Sequence, residues 1–160
     1  MTSIEQLIED FKAFYDDSPW FGDSYCDIVD DITAEEALAI PPNGHSIAVI
    51  VWHMVKWRRA MTERLLGNLD VRADVTDADN WPDASSQTAD TWEAAKAAYA
   101  EQQKIIVEQL SARDEAFLET DFVPGRKFRR LAHGVLQHDI YHLGQVAIVK
   151  NLVRNNGAWS

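Results

Sequence analysis

The stretch His138-Asp139-Ile140-Tyr141-His142-Leu143-Gly144-Gln145 lies inside the last long amphipathic segment of the 160-residue chain. Residues four apart on a helix are separated by about 40° around the axis, so the imidazoles of His138 and His142 leave one face a turn apart. This is a metal-ligand spacing; two packed or solvated histidines also adopt it. Two ligands rarely make a site, so a metal reading needs a third from elsewhere in the chain.

Working outward, the apolar pattern predicts a helix from about Lys127 to Val153, entered after Pro124-Gly125 and ended by Asn155-Asn156-Gly157. Before it, Trp92, Ala95, Tyr99, Ile106 and Leu110 form one stripe of a helix spanning about Ala89 to Ala112. Residues 68–86 are rich in turn formers and read as a loop, with Trp81-Pro82 pinning part of it to the body. Ser46 caps a helix running to about Leu66, with Gly67 at the position that ends it. Residues 47–55 of that helix are apolar on nearly all sides, so it is buried in the middle of the fold. Ile4, Leu7, Ile8, Phe11, Phe14 and Tyr15 mark a first helix over residues 3–16, capped by Thr2 or Ser3. The connection from Asp17 to His45 is irregular, with one short helix over Thr33 to Leu38. There is no strand pattern of convincing length and no repeat. The expected fold is all-α, a single domain over residues 1–160 built as a four-helix bundle with long irregular connections.

The buried helix supplies the candidate third ligand. A histidine there needs a partner for each ring nitrogen, and His53 finds one either in a hydroxyl or carbonyl, or in a metal shared with His138 and His142 across the core. Three neutral imidazoles with one open position describe a catalytic zinc-type site, or one for nickel, iron or manganese. Gln145 returns to nearly the angular position of His138, and Tyr141 flanks it, so both are candidates to touch a bound ligand; both also suit packing at the rim. Asp139 either orients a ligating histidine or stays solvated. Gly144 weakens the helix, which suggests that a helix or ligand approaches closely. His133 reads as packed or solvated, and His45 as a cap for the second helix rather than an outer support of His53.

The run Arg126-Lys127-Phe128-Arg129-Arg130 puts cations at a helix N-terminus, against the macrodipole. It reads either as an anion site, for a carboxylate- or phosphate-bearing ligand or an acidic loop, or as a solvated face. Lys56, Arg58 and Arg59 admit the same two readings. The net charge of −11 is uneven: residues 1–121 hold 9 Lys/Arg against 25 Asp/Glu, and residues 122–160 hold 6 against 1. So acidic a chain is repelled by phosphate backbones, which argues against a nucleic-acid partner and for small molecules or proteins. The longest apolar run, Ile47 to Trp52, is far too short to cross a membrane. With one cysteine and no signal peptide, the expected compartment is the cytoplasm. Cys26 sits among Asp23, Asp27 and Asp30, where its thiol pKa is raised and a nucleophilic role is disfavoured. No HExxH, CxxC, glycine-rich phosphate loop, GxSxG or Glu-x-x-His pair is present.

Gly44-His45-Ser46-Ile47, Val51-Trp52-His53 and Gln137-His138-Asp139-Ile140-Tyr141-His142-Leu143-Gly144-Gln145 together resemble the DinB/YfiT-like metalloproteins of bacteria, in order and helix placement over essentially the whole chain. The resemblance implies an up-down-down-up bundle, often a homodimer, with one divalent metal, zinc or nickel foremost, held by His53, His138 and His142. Members with an assigned role are thiol-dependent transferases or isomerases, in which the metal activates a low-molecular-weight thiol such as bacillithiol or mycothiol; others are described as metal-dependent hydrolases. It therefore implies a metal-dependent transferase with a small-molecule substrate, Tyr141 and Gln145 beside the reacting atoms, and Arg126, Arg129 and Arg130 near the carboxylates of the thiol. The alternatives are a hydrolase using metal-bound hydroxide and a non-catalytic metal-binding stress-response protein. Nothing in the sequence identifies the thiol or its electrophile.

Overall fold

A computed structural model describes residues 1–155. Four long helices carry the core: α1 (Ser3–Asp16), α4 (Ile47–Leu65), α5 (Ala89–Ser111) and α6 (Phe128–Arg154). Two short helices, α2 (Tyr25–Val29) and α3 (Ala34–Leu38), lie in the connection between α1 and α4. The helix starts are specified locally. Thr2 accepts from the Glu5 amide while the Glu5 carboxylate accepts from Thr2, and Ser24 with Asp27 and Thr33 with Glu36 repeat this reciprocal cap. The Ser24 cap marks α2, a helix that periodicity misses because five residues hold barely one turn. At the end of α4, Gly67 takes φ 98°, and the Asn68 amide donates to the Glu63 carbonyl, closing the helix as expected. α6 runs to Arg154, with the Asn155 amide donating to Asn151; the rest of the expected Asn155-Asn156-Gly157 stop lies outside the described residues.

Side-chain bonds fix the helix directions. Trp52 at the start of α4 donates to the Thr91 carbonyl at the start of α5, and Thr62 meets Gln102 further along both, so these helices are parallel. α4 and α6 are antiparallel, since His53 meets His138, and Arg64 lies over Phe122 just before α6. The Phe11 carbonyl accepts from Gln103, while the Ile4 amide reaches Glu115 beyond the end of α5, so α1 runs against α5. The bundle is therefore up-down-down-up.

One expectation needs correcting around Pro124-Gly125. Asp121–Val123 and Arg126–Lys127 pair as a two-stranded antiparallel hairpin, β1 and β2, with Gly125 at φ 77° in its turn. Strands of three and two residues carry no readable alternation. Arg126 consequently belongs to a strand, not to the start of the last helix.

Arg58 and Asp139 are wholly buried, in contrast to the solvated reading of each, and they form an ion pair at 2.7 Å between α4 and α6. The Arg58 guanidinium also donates to Gln103 at 2.7 Å and lies 4.1 Å from the Tyr99 ring centroid, both on α5. Gln103 in turn donates to the Phe11 carbonyl of α1. One guanidinium thus connects all four long helices. Charges out of water are tolerated only when paired, and here the pair and the Gln103 bond offset that cost, although Arg58 Nη2 and Asp139 Oδ1 have no hydrogen-bond partner.

Gly144 also differs from expectation. A Cβ built there meets nothing within 4 Å, so no helix or side chain approaches closely at that position. None of the described helices is long and apolar enough to cross a membrane.

Two stability measurements follow. Asp139→Asn leaves the guanidinium charge buried and unpaired, and is expected to lower the urea-derived unfolding free energy by about 3–5 kcal/mol; the double replacement Arg58→Met with Asp139→Leu is expected to lose much less than the sum of the single losses. Gly144→Ala, in an exposed helix interior, is expected to raise stability by about 0.5–1 kcal/mol.

Candidate metal centre

His53 leaves the buried face of α4, and its Nδ1 lies 2.6 Å from the Asn80 carbonyl oxygen. A carbonyl only accepts, so Nδ1 carries the proton and Nε2 is left with a lone pair facing the bundle interior. Asn80 is held in the 66–88 connection by its own side chain, which accepts from Trp57 Nε1 at 3.1 Å and donates to the Val75 carbonyl at 3.1 Å. Lys56 pins the same connection through Asp77 and Asp79 at 2.8 and 2.6 Å, so it is paired within the chain. Trp81 then stacks on the His53 ring, 3.8 Å between centroids and 1° from parallel. The other face of Trp81 is covered by His45 at 4.2 Å. His45 is therefore not the helix cap; Ser46 is, accepting from the Val49 amide, and His45 supports the site through the indole.

His142 is set in the same manner from its own helix. Its Nδ1 lies 2.6 Å from Gln145 Oε1, three residues on, which again leaves Nε2 as the free nitrogen. His138 completes the set, with its Nε2 3.0 Å from that of His53. One ligand atom from each of the three rings lies within 4.8 Å of the other two. Two lone pairs at 3.0 Å repel unless a cation or a proton lies between them. The Nδ1 of His138 is buried without a partner and stands 3.7 Å from Asp139 Oδ1, itself buried and unpartnered. These features suit a divalent cation: Nε2 of all three rings toward the ion, and Nδ1–H of His138 toward the carboxylate. Burial, reinforced by the neighbouring rings and opposed by the Asn80 bond, pushes His53 down to about 4. Burial likewise lowers His142, against the bond from Gln145. Both rings are thus neutral at pH 7, the form that ligates.

The three histidines form part of the wall of a cavity of about 940 Å³, with Trp57, Trp81, Phe122, Leu131 and Val135 supplying apolar surface. That is ample for a small-molecule ligand. Arg126 and Arg130 line its other end. Arg129 does not; its guanidinium is taken up by Glu119 at 2.7 Å and Glu115 at 3.2 Å. Tyr141 lies outside the cavity wall, 65 % exposed, and meets the site only with its ring against His142, 4.9 Å between centroids. Gln145 also lies outside the wall, and its amide oxygen is engaged by His142. Cys26 does not line this cavity; it lies in α2, with burial and then Asp30 pushing its thiol up to about 11.

Asn80 and Trp57 are the site residues that sequence patterns did not single out. Asn80 stands in a loop crowded with Asp and Asn, and nothing in the sequence distinguishes the one whose carbonyl reaches His53.

Neither a curated protein nor a solved structure matches the chain. The family model described as the DinB superfamily matches residues 23–146, which takes in all three histidines and most of the bundle. With that match and a three-histidine cluster compatible with metal binding, the chain belongs to the DinB superfamily.

Proposed function

We propose that this protein is a divalent-metal-dependent transferase that activates the thiol of a low-molecular-weight co-substrate for attack on a small electrophile. The observation that carries this reading is the placement of three Nε2 atoms on the wall of a roomy cavity that no carboxylate lines among the described residues. A divalent ion held by these histidines would supply Lewis acidity and lower the pKa of a bound thiol. A thiol needs only a modest shift to be ionised at neutral pH, so it requires no neighbouring general base. Water needs a much larger one, and hydrolases of the HExxH type add a glutamate that this cavity does not provide. The chain's own cysteine does not supply the nucleophile, since Cys26 is half-buried with its thiol held up at about 11.

The chain's residues have separable duties in this scheme. His53, His138 and His142 hold the ion, while the Asn80 carbonyl and Gln145 Oε1 keep two of the rings in the ligating tautomer. Trp81 and Trp57 shield the site and give the co-substrate an apolar surface to lie against. Tyr141, outside the cavity wall with its ring against His142, would meet the electrophile only at the exposed edge of the site.

The purified protein is expected to carry about one divalent ion per chain by elemental analysis and to turn over an electrophile such as chlorodinitrobenzene only with added thiol, with ion and turnover both lost in His53→Ala and His142→Ala. A protein that neither holds nor takes up a divalent ion, or one that turns over esters or amides without thiol, overturns the reading. Gln145→Leu is expected to weaken metal affinity by about 10–100-fold, read by competition with a chromophoric chelator; unchanged affinity would show that Gln145 has no part in holding His142.

A further inference from the structure

Arg130, Gly134, His138 and His142 follow one another at four-residue intervals along α6, so they share a slowly drifting face of that helix. All four line the cavity. Arg130 and His138 are eight residues apart, about 12 Å along the axis. Between them lies Gly134, where an added Cβ would meet nothing within 4 Å. The floor joining the arginine end to the histidine end is thus bare helix backbone with open space above it.

Several cations of this acidic chain find a carboxylate, as Lys56, Arg129 and Arg154 do, and Lys127 of the same basic run pairs with Asp121 at 2.7 Å. Arg126 and Arg130 pair with none among the described residues, and neither do Arg64 and Arg72 close by. Arg64 and Arg72 are held instead by neutral acceptors, both reaching the Val71 carbonyl, while the Arg64 guanidinium lies 4.9 Å from the Phe122 ring centroid. The Nε of Arg64 is buried without a partner. Burial lowers its pKa, and the nearby Arg72 and Arg126 lower it further, so like charges are gathered around it. Such a concentration of uncompensated guanidinium favours an anionic ligand.

We infer that the cavity takes a two-ended acid: a carboxylate or phosphate held by Arg126 and Arg130, an apolar middle passing over Gly134 between Phe122, Leu131 and Val135, and the reacting group at the three histidines. This deepens the proposed function and rests on it only for the reacting end. The acid and the nucleophilic or electrophilic atom are separated by roughly the 12 Å rise from Arg130 to His138, which sets the length of the molecule. Arg129, already paired with Glu115 and Glu119, takes no part.

The test uses cobalt-loaded protein titrated with 8-mercaptooctanoate, 3-mercaptopropionate and the methyl ester of each, followed by the thiolate-to-cobalt absorption band. The long acid is expected to bind about 10-fold or more tighter than its ester, and the short acid to show no such advantage. The advantage is expected to fall below about twofold in Arg126→Gln with Arg130→Gln and in Gly134→Leu, with metal content unchanged, and to persist in Arg129→Gln. Equal binding of acid and ester in the parent protein, or an advantage surviving in Arg126→Gln with Arg130→Gln, overturns the subsite. If no thiol produces the band, the metal-activated thiol reading fails by itself. The anion end is then decided by calorimetry with octanoate and octyl phosphate. Binding that is lost in Arg126→Gln with Arg130→Gln supports it, the tighter of the two identifying the head group, and absence of binding overturns it.

Discussion

The buried pair of Arg58 and Asp139 is the constraint on which the rest of the structure depends. Desolvating two charges is costly, and the attraction between them offsets that cost only while their geometry is held. The pair therefore sets how α4 and α6 approach one another, and Gln103 and the Phe11 carbonyl extend the constraint to α5 and α1. The same two helices carry the three histidines, with His53 five residues before Arg58 and His138 adjacent to Asp139. Apolar packing alone would let two helices slide by fractions of an ångström at little cost. A directional bond in a dry core removes that freedom at the level of the site.

The site itself is built from two kinds of support. Asn80 and Gln145 act on the far nitrogens of His53 and His142, setting which nitrogen of each ring faces inward. His138 has only the neighbouring Asp139, at a distance longer than a hydrogen bond, and its Nδ1 is otherwise unpartnered. The ring with the least support is also the most accessible of the three ligands, its side chain retaining about a quarter of its exposure at 26 %. Two of the imidazoles are thus oriented by hydrogen bonds of their own and the third is not, an arrangement that would leave room for cations of different radius.

Much of this was legible in the sequence where the signal was local and periodic. The four long helices, the Ser46 cap and the Gly67 stop follow from apolar spacing and capping residues acting within a few positions. The HxxxH spacing within α6 follows from helix geometry, and His53 stands out as a polar residue in an apolar helix. What sequence did not reveal depends on pairings between distant segments. Arg58 read, with Lys56 and Arg59, as part of an anion site or a solvated face, and only the arrival of Asp139 from α6, 81 positions later, makes its burial tolerable. Asn80 works through its backbone carbonyl, which every residue has. Gly144 suggested a close approach by a helix or a ligand, and no helix comes near it. The hairpin before α6 was missed because two- and three-residue strands are too short to show a period.

The spacing of the ligands along the chain also has a temporal side. His53 and His138 are 85 residues apart, which at ordinary elongation speeds of about 5–20 residues per second leaves His53 without its partner ligand for roughly 4–17 s of synthesis. Asn80 follows His53 by only 27 residues. His53 and Asn80 are therefore both made before the other two imidazoles exist. The three-histidine set becomes complete only with the last helix, which brings His138 and His142 together one turn apart.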